Sequence, residues 1–166
     1  NEDDFDSAGE TISSLLGGSN FSDDSDSTAV SAAQGDDFAG IAISANTSND
    51  TTQGKWQYQL NGSSSWNDIS TAVSTSAALL LDANTKLRFQ PVANFNGTPE
   101  ILDVHGMDDG SGTSFTSSST EQTLDVANDV STNTPATTAS VSLAITVLSV
   151  NDSPAFTSGQ VLSAID

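Results

Sequence analysis

The sequence predicts an all-β fold, a sandwich of about seven to nine strands with long loops. Short runs of alternating apolar and polar residues recur along the chain, and turn residues separate them at intervals of about 8–12 residues. No long helical pattern competes with these runs. At 166 residues the chain suits one domain, or one domain plus part of a neighbour, with enough length to bury a core.

The elements follow in order. Ile12 to Leu16 is a short apolar patch ending at Gly17-Gly18, and Asp23 to Asp26 reads as an acidic loop. Ala39, Ile41 and Ile43 alternate with Gly40, Ala42 and Ser44, the period of a strand. A polar loop from Asn46 to Gly54 leads to Trp56, Tyr58 and Leu60 on one strand face, which Asn61-Gly62 turns. Trp66 and Ile69 fit the returning strand, and the alternation of Trp56, Tyr58 and Trp66 suits a sandwich core better than sugar stacking. Ala77 to Leu81 is an unbroken apolar run, too short for periodicity to classify. Leu87 and Phe89 oppose Lys86, Arg88 and Gln90, and Pro91 ends that strand. Asn96-Gly97 turns the chain toward a strand over Ile101 to Met107.

Thr113 to Thr120 and Ser131 to Ser140 are rich in Ser and Thr and read as long surface loops. Val141 to Val150 is the longest strand-like run, and it stops at Asn151-Asp152-Ser153-Pro154, where proline cannot extend a ladder. An amide and a carboxylate at the end of a rigid strand can hold a calcium ion at a domain junction. The expected division is a module over 1–154 and a linker, or the start of a next module, over 155–166. The opening Asn1-Glu2-Asp3-Asp4 reads as a fragment of a longer polypeptide, with any export signal elsewhere.

Charge narrows the function classes. The chain carries 22 acidic residues against Lys55, Lys86 and Arg88, a net charge of −19. Phosphate is repelled, so nucleic acid and anionic membrane surfaces are unsuitable partners. No apolar run is long enough for membrane insertion. Two carboxylates about 4 Å apart at an effective dielectric of about 20 repel by about 4 kcal/mol, an upper figure. Divalent cations would relieve that repulsion; the competing reading is a plain solvated acidic surface, as in salt-adapted proteins. Cysteine is absent, which excludes disulfides and thiolate metal sites.

Several segments together resemble a known family. Gly54-Lys55-Trp56-Gln57-Tyr58-Gln59-Leu60, Trp66, Ser76-Ala77-Ala78-Leu79-Leu80-Leu81 and Leu87-Arg88-Phe89-Gln90-Pro91 are similar, in that order, to cadherin-like modules of giant bacterial RTX adhesins. Asn94-Phe95-Asn96-Gly97-Thr98 looks like the usual turn of those modules, and Val150-Asn151-Asp152-Ser153-Pro154 like their terminus. Glu2-Asp3-Asp4, Ala8-Gly9 and Ser13-Ser14-Leu15-Leu16 are similar to their opening. The resemblance implies a calcium-binding, cadherin-like or Ig-like β-sandwich at the bacterial cell surface, extracellular and monomeric, linked to adjacent modules of the same chain. Val104-His105-Gly106-Met107-Asp108 departs from the family's usual run, so only Asp108 carries over. Asp109-Gly110-Ser111-Gly112 and the polar stretch to Thr138 enlarge a connection that is often shorter.

Calcium takes six to eight oxygens in flexible geometry, which suits carboxylates, amides and carbonyls. Zinc wants nitrogen or sulfur, and one histidine without cysteine supplies little. By resemblance, a junction site draws on Asn151 and Asp152 with acidic residues of a neighbouring module. Within the module the expected ligands are Glu2, Asp3, Asp23, Asp24, Asp26 and Asp108. Asp23-Asp24-Ser25-Asp26 does not complete an EF-hand loop.

Two functions are open. A calcium held incompletely by Asp108, Asp109 and Asp129 can take the terminal carboxylate of a peptide or protein ligand on a host or neighbouring cell surface. Alternatively, the module is a calcium-stiffened extender that projects another binding domain. No enzymatic reading stands out: His105 has serines and aspartates to pair with, but no G-x-S-x-G elbow accompanies them, and no spacing singles out two glycosidase carboxylates.

Overall fold

The structure is a computed structural model that describes residues 1–17, 21, 37–109, 113–128 and 136–154. The candidate ligands Asp23, Asp24, Asp26 and Asp129, and the expected linker 155–166, lie outside the described residues. The elements are β1 (Glu10–Thr11), α1 (Ile12–Leu16), β2 (Phe38–Asn46), β3 (Gly54–Gln59), β4 (Asn67–Asp68), β5 (Ala78–Asp82), β6 (Lys86–Pro91), β7 (Leu102–Asp108), β8 (Thr123–Leu124) and β9 (Val141–Leu143). They form two antiparallel sheets, one in the order β1-β6-β3-β4 and the other β8-β5-β2-β7-β9. The fold is all-β, as the alternation predicts.

Alternation places the core. Ile41 and Ile43 of β2, Leu79 and Leu81 of β5, and Leu102 and Val104 of β7 meet Trp56 and Tyr58 of β3 and Leu87 and Phe89 of β6 in one buried cluster. Residues from both sheets therefore close a single apolar layer between them. Trp56 and Phe89 pack edge-on with ring centroids 5.4 Å apart. Ile12 plugs the same core from α1, whose first turn is capped by the Thr11 hydroxyl accepting from the Ser14 N–H.

The five-stranded sheet is covered on its outer face as well. Ala42, Ala78, Leu80 and Met107 form a second buried cluster there with Ala136, and Phe115, Leu124 and Val126 pack against it. Thr116 N–H donates to the Leu80 carbonyl at 3.1 Å, and Leu80 N–H to the Gln122 carbonyl at 3.0 Å. Gly40 makes room for this cover, since a Cβ there would overlap the Leu81 carbonyl oxygen and stand 2.8 Å from the Phe115 ring. The stretch around Thr113 to Thr120, expected as a free surface loop, is thus a lid on the sheet. Its Phe115 is the apolar anchor that the surrounding serines obscure. The unbroken run of β5 has the same cause: with both faces covered, no polar face is left to alternate.

The expected strand from Val141 to Val150 divides. Its first part is β9, which pairs with β7 as far as Leu143 opposite Leu102. β7 begins at Leu102, so the ladder has no backbone left to continue along. Pairing resumes at Val147, whose N–H and carbonyl exchange bonds of 2.8 and 2.9 Å with Gly97. Val147 is buried in the core, while Val141 and Leu148 are exposed.

The lid makes a testable claim. Leu80→Ala, although on the sheet face away from the main core, is expected to cost about 2–4 kcal/mol in urea unfolding, close to Leu81→Ala. A cost below about 0.5 kcal/mol, the ordinary range of a surface change, would mean that the lid does not pack.

Candidate functional site

One end of the molecule is organised by a buried carboxylate. Glu2 is only 4% exposed. Its Oε1 accepts the Val150 N–H at 2.6 Å, and its Oε2 accepts the Asn96 side-chain amide at 3.1 Å. The Glu2 N–H donates to the Leu148 carbonyl at 3.0 Å. One residue therefore joins the opening of the chain, the Asn96-Gly97 turn and the segment that exits into Asn151-Asp152. A buried charge survives only when hydrogen-bonded, and these donors supply that. The Val150 N–H, and after it the Asn96 amide, hold the Glu2 carboxyl below its ordinary value of 4.5.

Asn151 and Asp152 follow directly and are exposed. Asp3 is also exposed, with its N–H turned back to the Asn1 side chain at 3.0 Å. Sequence proximity to Glu2 and Val150 brings Asp3, Asn151 and Asp152 to the same end of the molecule. Asp108 and Asp109 lie elsewhere, at the far end of β7, where Asp108 pairs with Phe38 of β2. The expected ligands thus fall into two groups. Among the described residues no three His, Asp or Glu side chains converge as a metal site. The donors are of the oxygen type that calcium takes, and each end supplies only part of a coordination shell.

A second polar constellation lies on the outer face of the four-stranded sheet, and the sequence reading did not single it out. Arg88 of β6 is buried, its side chain 7% exposed. It donates to the Gln57 side chain at 2.9 Å and the Ser7 carbonyl at 2.9 Å, and reaches the fully exposed Asp6 at 3.2 Å. Gln57 passes the chain on to Asp68 at 2.7 Å, which also holds Lys55 at 2.6 Å. The Gln57 amide, and then Lys55, lower the Asp68 carboxyl. Lys55 and Asp68 are each nearly half exposed, so the ion pair between them adds little stability.

Trp66 belongs to this outer face. It lies over Arg88, with the guanidinium carbon 4.1 Å from the ring centroid. The expectation that it joins Trp56 and Tyr58 in the core is corrected. A cation–π contact holds its half-buried ring on this outer face, and is worth about 0.5–2 kcal/mol in such settings. Gly9, at φ +62°, admits the ring; a Cβ would stand 2.6 Å from both Trp66 and the Leu87 carbonyl. The sequence does hold the signal in one respect: Arg88 stands between Leu87 and Phe89, so it must face away from the core. Lys55, Lys86 and Arg88, all the cations of the chain, share this face.

His105 is packed on the opposite sheet, its Nδ1 2.7 Å from the Thr137 carbonyl. Gly106 N–H donates to the Thr137 hydroxyl, and Thr137 N–H to the Gly106 carbonyl, so this stretch continues the edge pairing of β7. A scan against protein-family models, a search of curated proteins and a search of solved structures each returned no match to this chain.

The Glu2 bonds set a pH dependence. A carboxyl held below its ordinary value contributes stability that is complete above 4.5 and is lost as pH falls through the folded value. Glu2→Gln removes that titration. The urea midpoint of the wild type is expected to fall more steeply on acidification below 4.5 than that of Glu2→Gln. Parallel curves would contradict the clamp.

Proposed function

We propose that the chain is a calcium-dependent, extracellular module of a bacterial surface adhesin of the RTX type, in which bound cations stiffen the end of the module where Asn151 and Asp152 emerge. The observation that carries this reading is the Glu2 clamp. It fixes the backbone at Val150 and so delivers two oxygen-donor side chains from a rigid support. Asp3 adds a carboxylate nearby, and oxygens of an adjacent module complete the shell. A net charge of −19, with all three cations confined to one sheet face, supplies the attraction for a divalent ion. The sequence resemblance supplies the biological setting.

Within that setting the geometry favours the extender role. Ligand capture would draw on the enlarged connection after Asp108. Its described part is committed to covering Leu80 and Met107. Binding of a peptide or protein from a host or neighbouring cell surface stands as the second reading, favoured by Asp108 and Asp109 at the opposite end of β7 from the clamp. A calcium held there with open positions would accept a ligand carboxylate.

Extracellular calcium sites bind with dissociation constants of about 10⁻⁴–10⁻³ M. At about a hundredfold excess over the dissociation constant, stabilisation is about 2.7 kcal/mol. For a domain of this size that raises the melting temperature by roughly 5–10 °C over EDTA-treated protein. Identical melting in calcium and in EDTA would refute the calcium reading. Calorimetric titration separates the two ends: Asp152→Ala is expected to weaken binding beside the clamp and spare the other site, and Asp108→Ala the reverse. Retention of every wild-type binding event by both variants would overturn the assignment. A peptide array probed with calcium and with chelator decides between the roles, since calcium-dependent capture of a C-terminal sequence selects ligand binding over spacing.

A further inference from the structure

The chain contains two Asn-Gly dipeptides, Asn61-Gly62 and Asn96-Gly97, and the fold treats them differently. Both asparagines are exposed, so access of water does not distinguish them. At Asn96 the side-chain amide is held by the Glu2 carboxylate at 3.1 Å, and the Gly97 N–H donates to the Val147 carbonyl at 2.9 Å. At Asn61 neither group is engaged: among the described residues, no hydrogen bond involves the Asn61 side chain or the Gly62 N–H. A Cβ at Gly62 or at Gly97 would meet nothing within 4 Å, so crowding at the glycine does not distinguish the two turns either, and the contrast lies in the hydrogen bonds. The one closing bond of the Asn61-Gly62 turn runs from Ser63 N–H to the Leu60 carbonyl at 3.0 Å.

We propose that Asn61 is a site of spontaneous deamidation, a self-modification that the fold permits there and blocks at Asn96. The reaction needs the following residue's backbone nitrogen, stripped of its proton, to attack the side-chain carbonyl carbon. In the step, the Gly62 nitrogen bonds to Asn61 Cγ, the Cγ–Nδ2 bond breaks, and ammonia leaves with the proton that Gly62 gave up. The resulting succinimide takes up one water and opens at either carbonyl, giving aspartate or isoaspartate. The net change is one water consumed and one ammonia released, with no oxidant or reductant.

Two consequences follow from the geometry. The isoaspartate product inserts an extra methylene into the main chain between β3 and β4, and either product adds a negative charge at an exposed tip. At Asn96 the same chemistry would require the Gly97 ladder bond and the Glu2 bond to open first. It would also place a new carboxylate against Glu2. The protected asparagine is therefore the one whose loss would break the clamp.

The test incubates the full chain in mildly alkaline, ammonia-free buffer, folded and in strong denaturant, and follows both peptides by mass spectrometry and isoaspartate detection. In the folded protein, conversion at Asn61 is expected to run at least about tenfold faster than at Asn96, since two hydrogen bonds must break at the latter. In denaturant the two rates converge, because the dipeptides are then equivalent. Asn61→Gln should remove most of the ammonia released by the folded chain. Comparable rates at the two sites in the folded state would overturn the proposal. So would a rate difference that persists unchanged in denaturant, which would assign the contrast to local sequence and not to the fold.

Discussion

The arrangement at the end of the molecule where Asn151 and Asp152 emerge depends on one carboxylate. Glu2 is nearly buried, carries a charge, and is matched by two donors from distant parts of the chain. A carboxylate shielded from water without partners would take up a proton instead of keeping its charge. With the Val150 N–H and the Asn96 amide in place, the charged form is favoured. The consequence is positional. The opening of the chain, a turn between two strands and the segment leading to Asn151-Asp152 are held at one point, so those last two side chains emerge from a fixed backbone.

The remaining charge follows a simple partition. The three cations lie on one face of the four-stranded sheet, and Arg88 is satisfied by Gln57, Ser7 and the face of Trp66. Among the described residues no buried side-chain nitrogen or oxygen lacks a hydrogen-bond partner. With 22 acidic residues against three lysines and arginines, most carboxylates are screened by solvent or by cations in solution. The other sheet solves a different problem: its outer face is apolar, and the lid carrying Phe115, Leu124 and Val126 removes it from water. The two sheets are thus finished by different means, one by a polar network and one by a second apolar layer.

Much of this fold was legible in the residues. β3, β6 and β7 face water or a polar network over part of their length, so apolar and polar residues alternate and the strands show; β2 is buried on both faces, yet its small residues Gly40, Ala42 and Ser44 still alternate with Ile41 and Ile43. β5 hid its type because both faces are covered. The run to Val150 looked like one strand because nothing in its own sequence records that its partner stops at Leu102. The local pattern points Trp66 to the core because a tryptophan stacked on arginine leaves the same pattern as one packed between sheets. The site was half legible. Glu2, Asn151 and Asp152 drew attention as oxygen donors, whereas Asn96 is 94 residues from Glu2, and the decisive donor at Val150 is a backbone N–H with no residue code at all. Such partners become visible only once the chain is folded.

Amide hydrogen exchange read residue by residue tests the clamp most directly. If Glu2 anchors the exit of the chain, the Val150 amide is protected in the wild type and exposed in Glu2→Ala, while Ile41 and Ile43 in the central strand keep their protection in both. Free exchange at Val150 in the wild type, or unchanged protection there after Glu2→Ala, would contradict the account.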